Sequence, residues 1–177
     1  HQGGQVMGLR SRFGLAPVPM PNLYQFGGFA DLPFLLPTAG REALTRESIQ
    51  EAAHLMPVIE SAVSEIVRDT DLADSLAAFQ QHVLQSGQTA WAGRVSVQLS
   101  PGDSRVELQD LPRSFSQSEL LWYAGTDPET IAMFSSEDRP LIRVSQGNPR
   151  RELQTRYLRD VLRWQAVPDT AAIVETY

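Results

Sequence analysis

A change of character near residue 40 limits the possible folds of this chain more than any other feature. Residues 1–40 hold seven of the twelve glycines and five of the twelve prolines. Because a proline fixes φ and has no amide hydrogen, the alternating Pro17, Pro19 and Pro21 favour an extended or polyproline-like path. We therefore predict an extended N-terminal arm, residues 1–40, followed by a single α+β globular domain, residues 41–177.

The arm is too apolar for a solvated tail, because disordered segments usually avoid this density of large apolar side chains. Fully extended, it could span ~130–140 Å, which is far more than the diameter of its own domain. Two interpretations remain: the arm wraps its own core, or it lies across a neighbouring subunit. We favour the neighbouring subunit. The candidate contact residues are the five aromatics of the arm: Phe13, Tyr24, Phe26, Phe29 and Phe34.

Helical periodicity begins near Thr45, where apolar residues start to recur at three- and four-residue steps. Ser48 and Glu51 have the spacing of a capping box, and Thr45 is an alternative cap. Pro57 should kink this helix or divide it in two, because an interior proline loses a hydrogen bond and clashes with the preceding turn.

The periodicity then changes to two. Apolar and polar residues alternate over residues 94–99 and again over 105–109, with the turn sequence Pro101-Gly102-Asp103 between them. This pattern predicts an antiparallel hairpin with one buried face. Residues 141–144 predict a third strand.

Three further elements complete the predicted α+β fold. Ser116 and Glu119 form a second possible capping box and predict a short helix after them. Asp127-Pro128-Glu129 predicts the start of another short helix. The clearest helix, long and amphipathic, covers residues 149–166, and residues 171–177 could add a last strand.

Charge and composition narrow the classes of function. The net charge of −6 argues against general nucleic-acid binding, because phosphate affinity comes from accumulated positive charge. No apolar run is long enough to cross a bilayer. The chain has no cysteine, which excludes disulfides, thiolate nucleophiles and cysteine-based zinc sites.

All fifteen basic residues are arginine. A GC-rich genome explains this most simply. Two alternatives are avoidance of ubiquitination in a host cell, and use of the bidentate guanidinium at protein interfaces.

No motif names a reaction. Asp69, Asp71 and Asp74 suggest a divalent-metal site, but Asp71 and Asp74 lie where acids favour a helix start, and no calcium-loop pattern follows. His54 and His82 both fall in predicted helices, where a lone histidine is more often structural. We therefore predict no cofactor and no metal.

The last helix carries a second candidate surface. Arg156, Arg159 and Arg163 fall within about a 60° arc, opposite its apolar face. A solvated face is the simpler explanation, but an arginine ridge also suits salt bridges to an acidic neighbour, and a protein partner fits the net charge better than RNA.

Our leading hypothesis is a structural or assembly subunit, associating with identical or different subunits through the arm and the arginine-bearing helix. A virion, phage particle or secretion-type machine would fit this design. The alternative is a lysine-free bacterial effector or toxin that is translocated into a host cell. A small hydrolase or transferase has no positive support.

Overall fold

The protein is of mixed α and β class, with helices and two small sheets. The computed structural model describes residues 5–19, 22–39, 43–116 and 119–168. The chain divides into two compact units, residues 1–64 and 65–177. The sequence prediction places its boundary between residues 40 and 41, with an arm before it and one α+β domain after it. Within the described residues, no helix combines the length and apolarity that a membrane span needs.

The first unit contains a three-stranded sheet with the order β2-β1-β3. Its strands are β1 (Val6–Arg10), β2 (Phe13–Val18) and β3 (Gly28–Asp31). β1 pairs antiparallel with β2 and parallel with β3. All three strands lie within the predicted arm, and they pair with each other.

Helix α1 (Arg46–Arg68) follows the sheet, and the division between the two units falls within it. Of the two predicted caps, Thr45 is the one used, since its hydroxyl accepts from the Ser48 amide at 3.4 Å. Pro57 lies inside the helix and does not divide it. Pro57 is exposed, and the helix continues past it.

The core of the first unit lies between the sheet and α1. Its buried residues are Ala16, Val18, Leu35, Leu44, Ala52 and Met56. Gly8 shows how closely the layers approach, because a Cβ there would lie 2.9 Å from Leu35 Cδ1 and 3.0 Å from Val18 Cγ2. The inner face of β1 therefore has room only for a glycine at this position.

The second unit contains a four-stranded sheet with the order β5-β4-β7-β6. Its strands are β4 (Ser96–Ser100), β5 (Arg105–Glu107), β6 (Trp122–Tyr123) and β7 (Leu141–Arg143). β4 and β5 form the predicted antiparallel hairpin, and β7 is the predicted third strand, antiparallel to β4. The prediction of one buried face on β4 was too simple, because Ser96 and Ser100 are buried as well as Val97 and Leu99.

Five further α-helices belong to the described part of the second unit. They are α2 (Leu72–Ser75), α3 (Ala77–Ser86), α4 (Leu111–Ser114), α5 (Pro128–Phe134) and α6 (Arg150–Arg156), with 3-10 turns at Thr89–Arg94 and Leu108–Asp110. Gly87 ends α3 in the left-handed conformation, with φ of 72°. Asp127 caps α5 as predicted, since its side chain accepts from the Thr130 amide.

The short helix predicted after Ser116 was wrong, because Trp122–Tyr123 is strand β6, parallel to β7. One bond of the predicted capping box is present: the Ser116 amide donates to Glu119 Oε2 at 3.0 Å. The Trp122 indole also donates to the Trp164 carbonyl at 2.9 Å. Sheet pairing and this distant contact outweigh the local helical pattern.

The last helix is shorter than predicted. After α6 the chain continues as a π-helical turn, Tyr157–Val161, in which the Leu162 amide donates to the Tyr157 carbonyl at 3.0 Å. Arg163 then adopts a left-handed φ of 58°, which ends the helical path before the predicted end at Ala166. The predicted strand 171–177 lies outside the described residues.

Candidate interaction surfaces

Three of the five aromatic residues predicted to contact a partner are packed within their own unit. Tyr24 and Phe26 stack on each other, with ring centroids 5.3 Å apart. Phe26 and Phe34 are partly buried against the core of the first unit. The Tyr24 hydroxyl lies 2.6 Å from Ser64 Oγ on α1. These contacts support the interpretation that much of the arm covers its own core.

Burial is the main cause of a raised pKa for Tyr24. The hydrogen bond with Ser64 acts in the opposite direction, and the charge of Glu60 adds to the rise. Glu60 also accepts from the Leu23 amide at 2.9 Å. Two bonds therefore hold this stretch of the arm against α1.

Phe29 behaves differently, because 78% of its surface is exposed. It lies in β3, which is an edge strand of the first sheet. Phe13 lies in β2, opposite Arg10 of β1, and its side chain is outside what the structure describes. Phe29 is thus the most exposed of the four arm aromatics whose side chains the structure describes.

Phe29 belongs to a row of apolar residues on the outer face of the first sheet. Met7 of β1 lies opposite both Pro17 of β2 and Phe29 of β3. Successive side chains point to opposite faces of a strand, and Gly8 faces the core, so this row lies on the other face. The sheet therefore presents an apolar row of three residues away from its own core.

The arginine residues of the last helix are engaged locally. Arg156 donates to Glu152 at 2.5 Å, and Arg159 Nε donates to Asp160 Oδ1 at 2.9 Å. The hydrogen bond from Arg159 is the main reason why the pKa of Asp160 is lowered. Arg163 follows the end of the helical path. Exposed pairs of this kind contribute only about 0–1 kcal/mol, so they can exchange partners at little cost.

Each aspartate of the acidic cluster Asp69, Asp71 and Asp74 pairs with an arginine. Asp71 lies at the start of α2, but its side chain pairs with Arg94 at 2.6 Å and makes no capping hydrogen bond. Asp74 pairs with Arg150 at 2.6 Å. Asp69 pairs with Arg68 at 3.4 Å.

Asp74 is the centre of a polar network that joins three elements. Its Oδ1 accepts from the Ser96 amide at 2.7 Å and its Oδ2 from the Ser96 hydroxyl at 3.1 Å. Arg150 also donates to the Ser96 carbonyl at 2.7 Å and to Ser145 Oγ at 3.2 Å. Gln154, almost fully buried, donates to the same Ser96 carbonyl at 2.9 Å. The network fixes α2, β4 and α6 to one another within the unit.

Burial of Asp74 acts to raise its pKa. The hydrogen bonds from Ser96 and Arg150, together with the charge of Arg150, outweigh this effect, and the pKa of Asp74 is lowered. The carboxylate is therefore a structural anion that holds Arg150 in place.

A polar cavity of about 180 Å³ lies beside this network, on the second sheet. Its wall contains three arginines: Arg105, Arg143 and Arg150. Gln98 of β4 lies opposite Arg105 of β5 on one side and Arg143 of β7 on the other, which places all three residues on one face. Sequence alternation could have placed Arg105 beside Gln98, but only the pairing of β4 with β7 brings in Arg143.

A second cavity, of about 320 Å³, has a more apolar wall. It lies beside β6 and is lined in part by Trp122, Tyr123 and Arg151. Arg151 donates to the Ala124 carbonyl at 2.8 Å and to Gln146 Oε1 at 3.0 Å.

The two internal histidines have different environments. His54 is exposed on α1, while His82 on α3 is buried, with 8% of its surface exposed. The Nε2 atom of His82 has no hydrogen-bond partner among the described residues. Neither histidine belongs to a group of three metal-ligating side chains within the described part of the chain.

Comparison with known proteins adds no family to these observations. No protein-family model matches the sequence, and no curated protein matches it.

Proposed function

We propose that this protein is a structural subunit that associates with further copies of itself through the edge strand β3. The observation that carries the proposal is Phe29, a large apolar side chain that is 78% exposed on that strand. Such a subunit would build a larger complex or a virus-like particle.

The hydrogen-bonding groups of β3 support an edge contact. The Leu32 amide donates to the Leu9 carbonyl of β1 at 3.0 Å. Successive residues of a strand direct their backbone groups to opposite sides, so those of Phe29 and Asp31 point away from β1. An unpaired edge of this kind is a template for another strand.

The other edge of the sheet is less suited to strand addition. β2 contains Pro17, which has no amide hydrogen to donate. β3 (Gly28–Asp31) has no proline. The difference between the two edges favours β3 as the docking strand.

A second copy is the partner that best fits this edge. Two β3 strands in antiparallel contact would form an isologous interface, in which one symmetric contact covers the edge of both copies. The apolar row of Met7, Pro17 and Phe29 would then continue from one sheet into the next. Because the paired strands are only four residues long, the interface is smaller than the ~800 Å² per partner of a stable complex. Each contact is therefore weak, and because an isologous contact closes as a pair, a larger assembly needs a second contact as well.

The arginine-bearing helix has an accessory role in this proposal. Arg156, Arg159 and Arg163 could exchange their local partners for the acidic groups of a neighbouring copy, since exposed ion pairs are weak. Salt would weaken such contacts. It would not weaken an edge contact made by backbone groups and apolar side chains.

Analytical ultracentrifugation over a range of concentrations tests the proposal. We expect wild-type protein to sediment above monomer mass, and Phe29→Arg to sediment as a monomer with an unchanged circular dichroism spectrum. Met133→Arg is the matched control, because Met133 is 71% exposed but lies on α5 in the second unit.

Two results would contradict the edge contact. One is a wild-type protein that stays monomeric at every concentration, and the other is Phe29→Arg associating as well as Met133→Arg. A repeat at high salt distinguishes the β3 edge from the arginine-bearing helix. Association through the edge should persist, because the net charge of −6 makes copies repel each other and salt screens that repulsion.

A further inference from the structure

Arg143 lies in an unusual position for a guanidinium group. Its Nε atom is buried and has no hydrogen-bond partner among the described residues. A buried donor without a partner costs free energy, and one on a charged group costs more. Native structures rarely leave such groups unsatisfied, and a bound ion is one of the groups that can satisfy them.

The surroundings of Arg143 are cationic and polar. Arg143 and Arg105 both line the cavity of about 180 Å³ and lie on either side of Gln98. Within the described residues, neither of these two arginines forms an ion pair, in a protein whose net charge is −6. Their two positive charges are therefore available to an anion.

The acids near the cavity are already neutralised. Asp74 is held by Arg150 and Ser96, and Glu107 lies 3.5 Å from Arg94 Nε. Arg150 itself uses its donors on Asp74, Ser96 and Ser145, so it forms part of the wall rather than a free cation.

We propose that this cavity binds a phosphate group, held by the guanidinium groups of Arg105 and Arg143 above Gln98. Two guanidinium groups match a dianion better than the single charge of a carboxylate. Arginine presents its donors in a planar fork that suits phosphate oxygens. The volume also fits one such group, because sites for whole drug-sized ligands are roughly 300–1,000 Å³.

Ser145 supplies a further donor at the cavity wall. Its Oγ accepts from Arg150 Nε at 3.2 Å and from Gln154 Nε2 at 3.1 Å. A hydroxyl that accepts in both of these bonds directs its own hydrogen elsewhere, toward a phosphate oxygen in this proposal. The polar network around Asp74 thus orients the wall of the phosphate site.

Isothermal titration calorimetry of the full-length protein with inorganic phosphate tests the proposal, against chloride at matched ionic strength. We expect saturable binding of phosphate and none of chloride. Arg143→Met and Arg105→Gln should each weaken phosphate binding about tenfold or more, because each removes charged hydrogen bonds. Arg113→Gln is the control, since Arg113 is 82% exposed and pairs with Asp110 outside the cavity.

The design separates the possible outcomes. Arg105 is exposed, so Arg105→Gln should fold even if Arg143→Met does not. Equal heats from phosphate and chloride, or undiminished phosphate binding by Arg105→Gln, would overturn the proposal.

A second titration with O-phosphoserine distinguishes two sources of the phosphate group. Binding of both ligands shows that the site accepts a phosphomonoester, whereas binding of inorganic phosphate alone shows that it takes the free ion. The site is independent of the β3 edge, so Phe29→Arg should bind phosphate as wild type does.

Discussion

The carboxylate of Asp74 accepts three hydrogen bonds, two from Ser96 and one from Arg150. Its pKa is lowered below the ordinary aspartate value of about 3.9. A lowered folded pKa means that its contribution to stability is complete above about pH 4 and is lost as the pH falls through the folded value. Acid should therefore weaken the second unit through this residue.

Replacing Asp74 by Asn should lower the free energy of unfolding by about 2 kcal/mol at neutral pH, because Arg150 loses its charged partner. The decline of stability below pH 4 should also become shallower. Chemical denaturation at neutral and acidic pH measures both effects. Asp103→Asn is the control, since Asp103 is exposed in the β4–β5 turn. Equal stability of the two variants would show that the Asp74 network contributes nothing.

At the level of single residues, the sequence predicted only part of the two candidate sites. The exposure of Phe29 was consistent with the predicted partner contact, but sequence could not separate it from Phe26 and Phe34, which are equally apolar. Arg143 was not anticipated at all, because its position depends on the pairing of β7 with β4 across a long loop. Only the hairpin partner, Arg105, followed from local alternation.

At the scale of elements, Pro57 makes a specific prediction about α1. It lies exposed within a helix that runs from Arg46 to Arg68. Proline is about 3 kcal/mol less favourable than alanine in a helix interior, and its stiffness in the unfolded chain offsets part of this. Pro57→Ala should therefore stabilise the protein by about 2 kcal/mol.

Denaturation followed by far-ultraviolet circular dichroism measures this gain. The neighbouring Val58→Ala is the control, because Val58 is 66% exposed and a surface change should stay within about 0.5 kcal/mol. A loss of stability in Pro57→Ala would mean that the packing of α1 depends on a bend at the proline.

Local sequence patterns predicted the elements that are determined by interactions between residues close in the sequence. Alternation located the β4–β5 hairpin, and cap chemistry located the start of α5 at Asp127. Neither could show that Trp122–Tyr123 is a strand, because that depends on β7 and on Trp164. The early end of the last helix could not be predicted for another reason. Arg163 adopts a left-handed conformation, and such a conformation is predictable from sequence mainly where the residue is a glycine.

At the scale of the whole molecule, the two compact units should differ in stability. Among the described residues of the first unit, the core contains six buried apolar side chains, several of them small, and a small core stabilises a fold only marginally. We therefore expect the first unit to unfold before residues 65–177. Deleting residues 1–40 would also remove Ala16, Val18 and Leu35 from that core, so point variants on β3 test association more cleanly.

Two probes followed during one denaturation check the order of unfolding. Circular dichroism reports on both units, whereas all three tryptophans, Trp91, Trp122 and Trp164, belong to the second. The circular dichroism transition should begin at a lower denaturant concentration than the fluorescence transition. Coincident transitions in wild-type protein would instead show a single cooperative molecule. The core of the first unit has no room for a valine side chain at position 8. Gly8→Val should therefore lower the denaturant concentration of the circular dichroism transition and leave the fluorescence transition unchanged.

The distribution of indole rings has a practical consequence. Excited at the tryptophan band, the protein emits from residues 65–177 alone, and the first unit is dark. Phe29→Trp would place a fourth fluorophore on β3, at a site that is open to water in the monomer. Its emission should shift to the blue when the strand is covered, so one spectrum would follow both the integrity of the first unit and its contact with another copy.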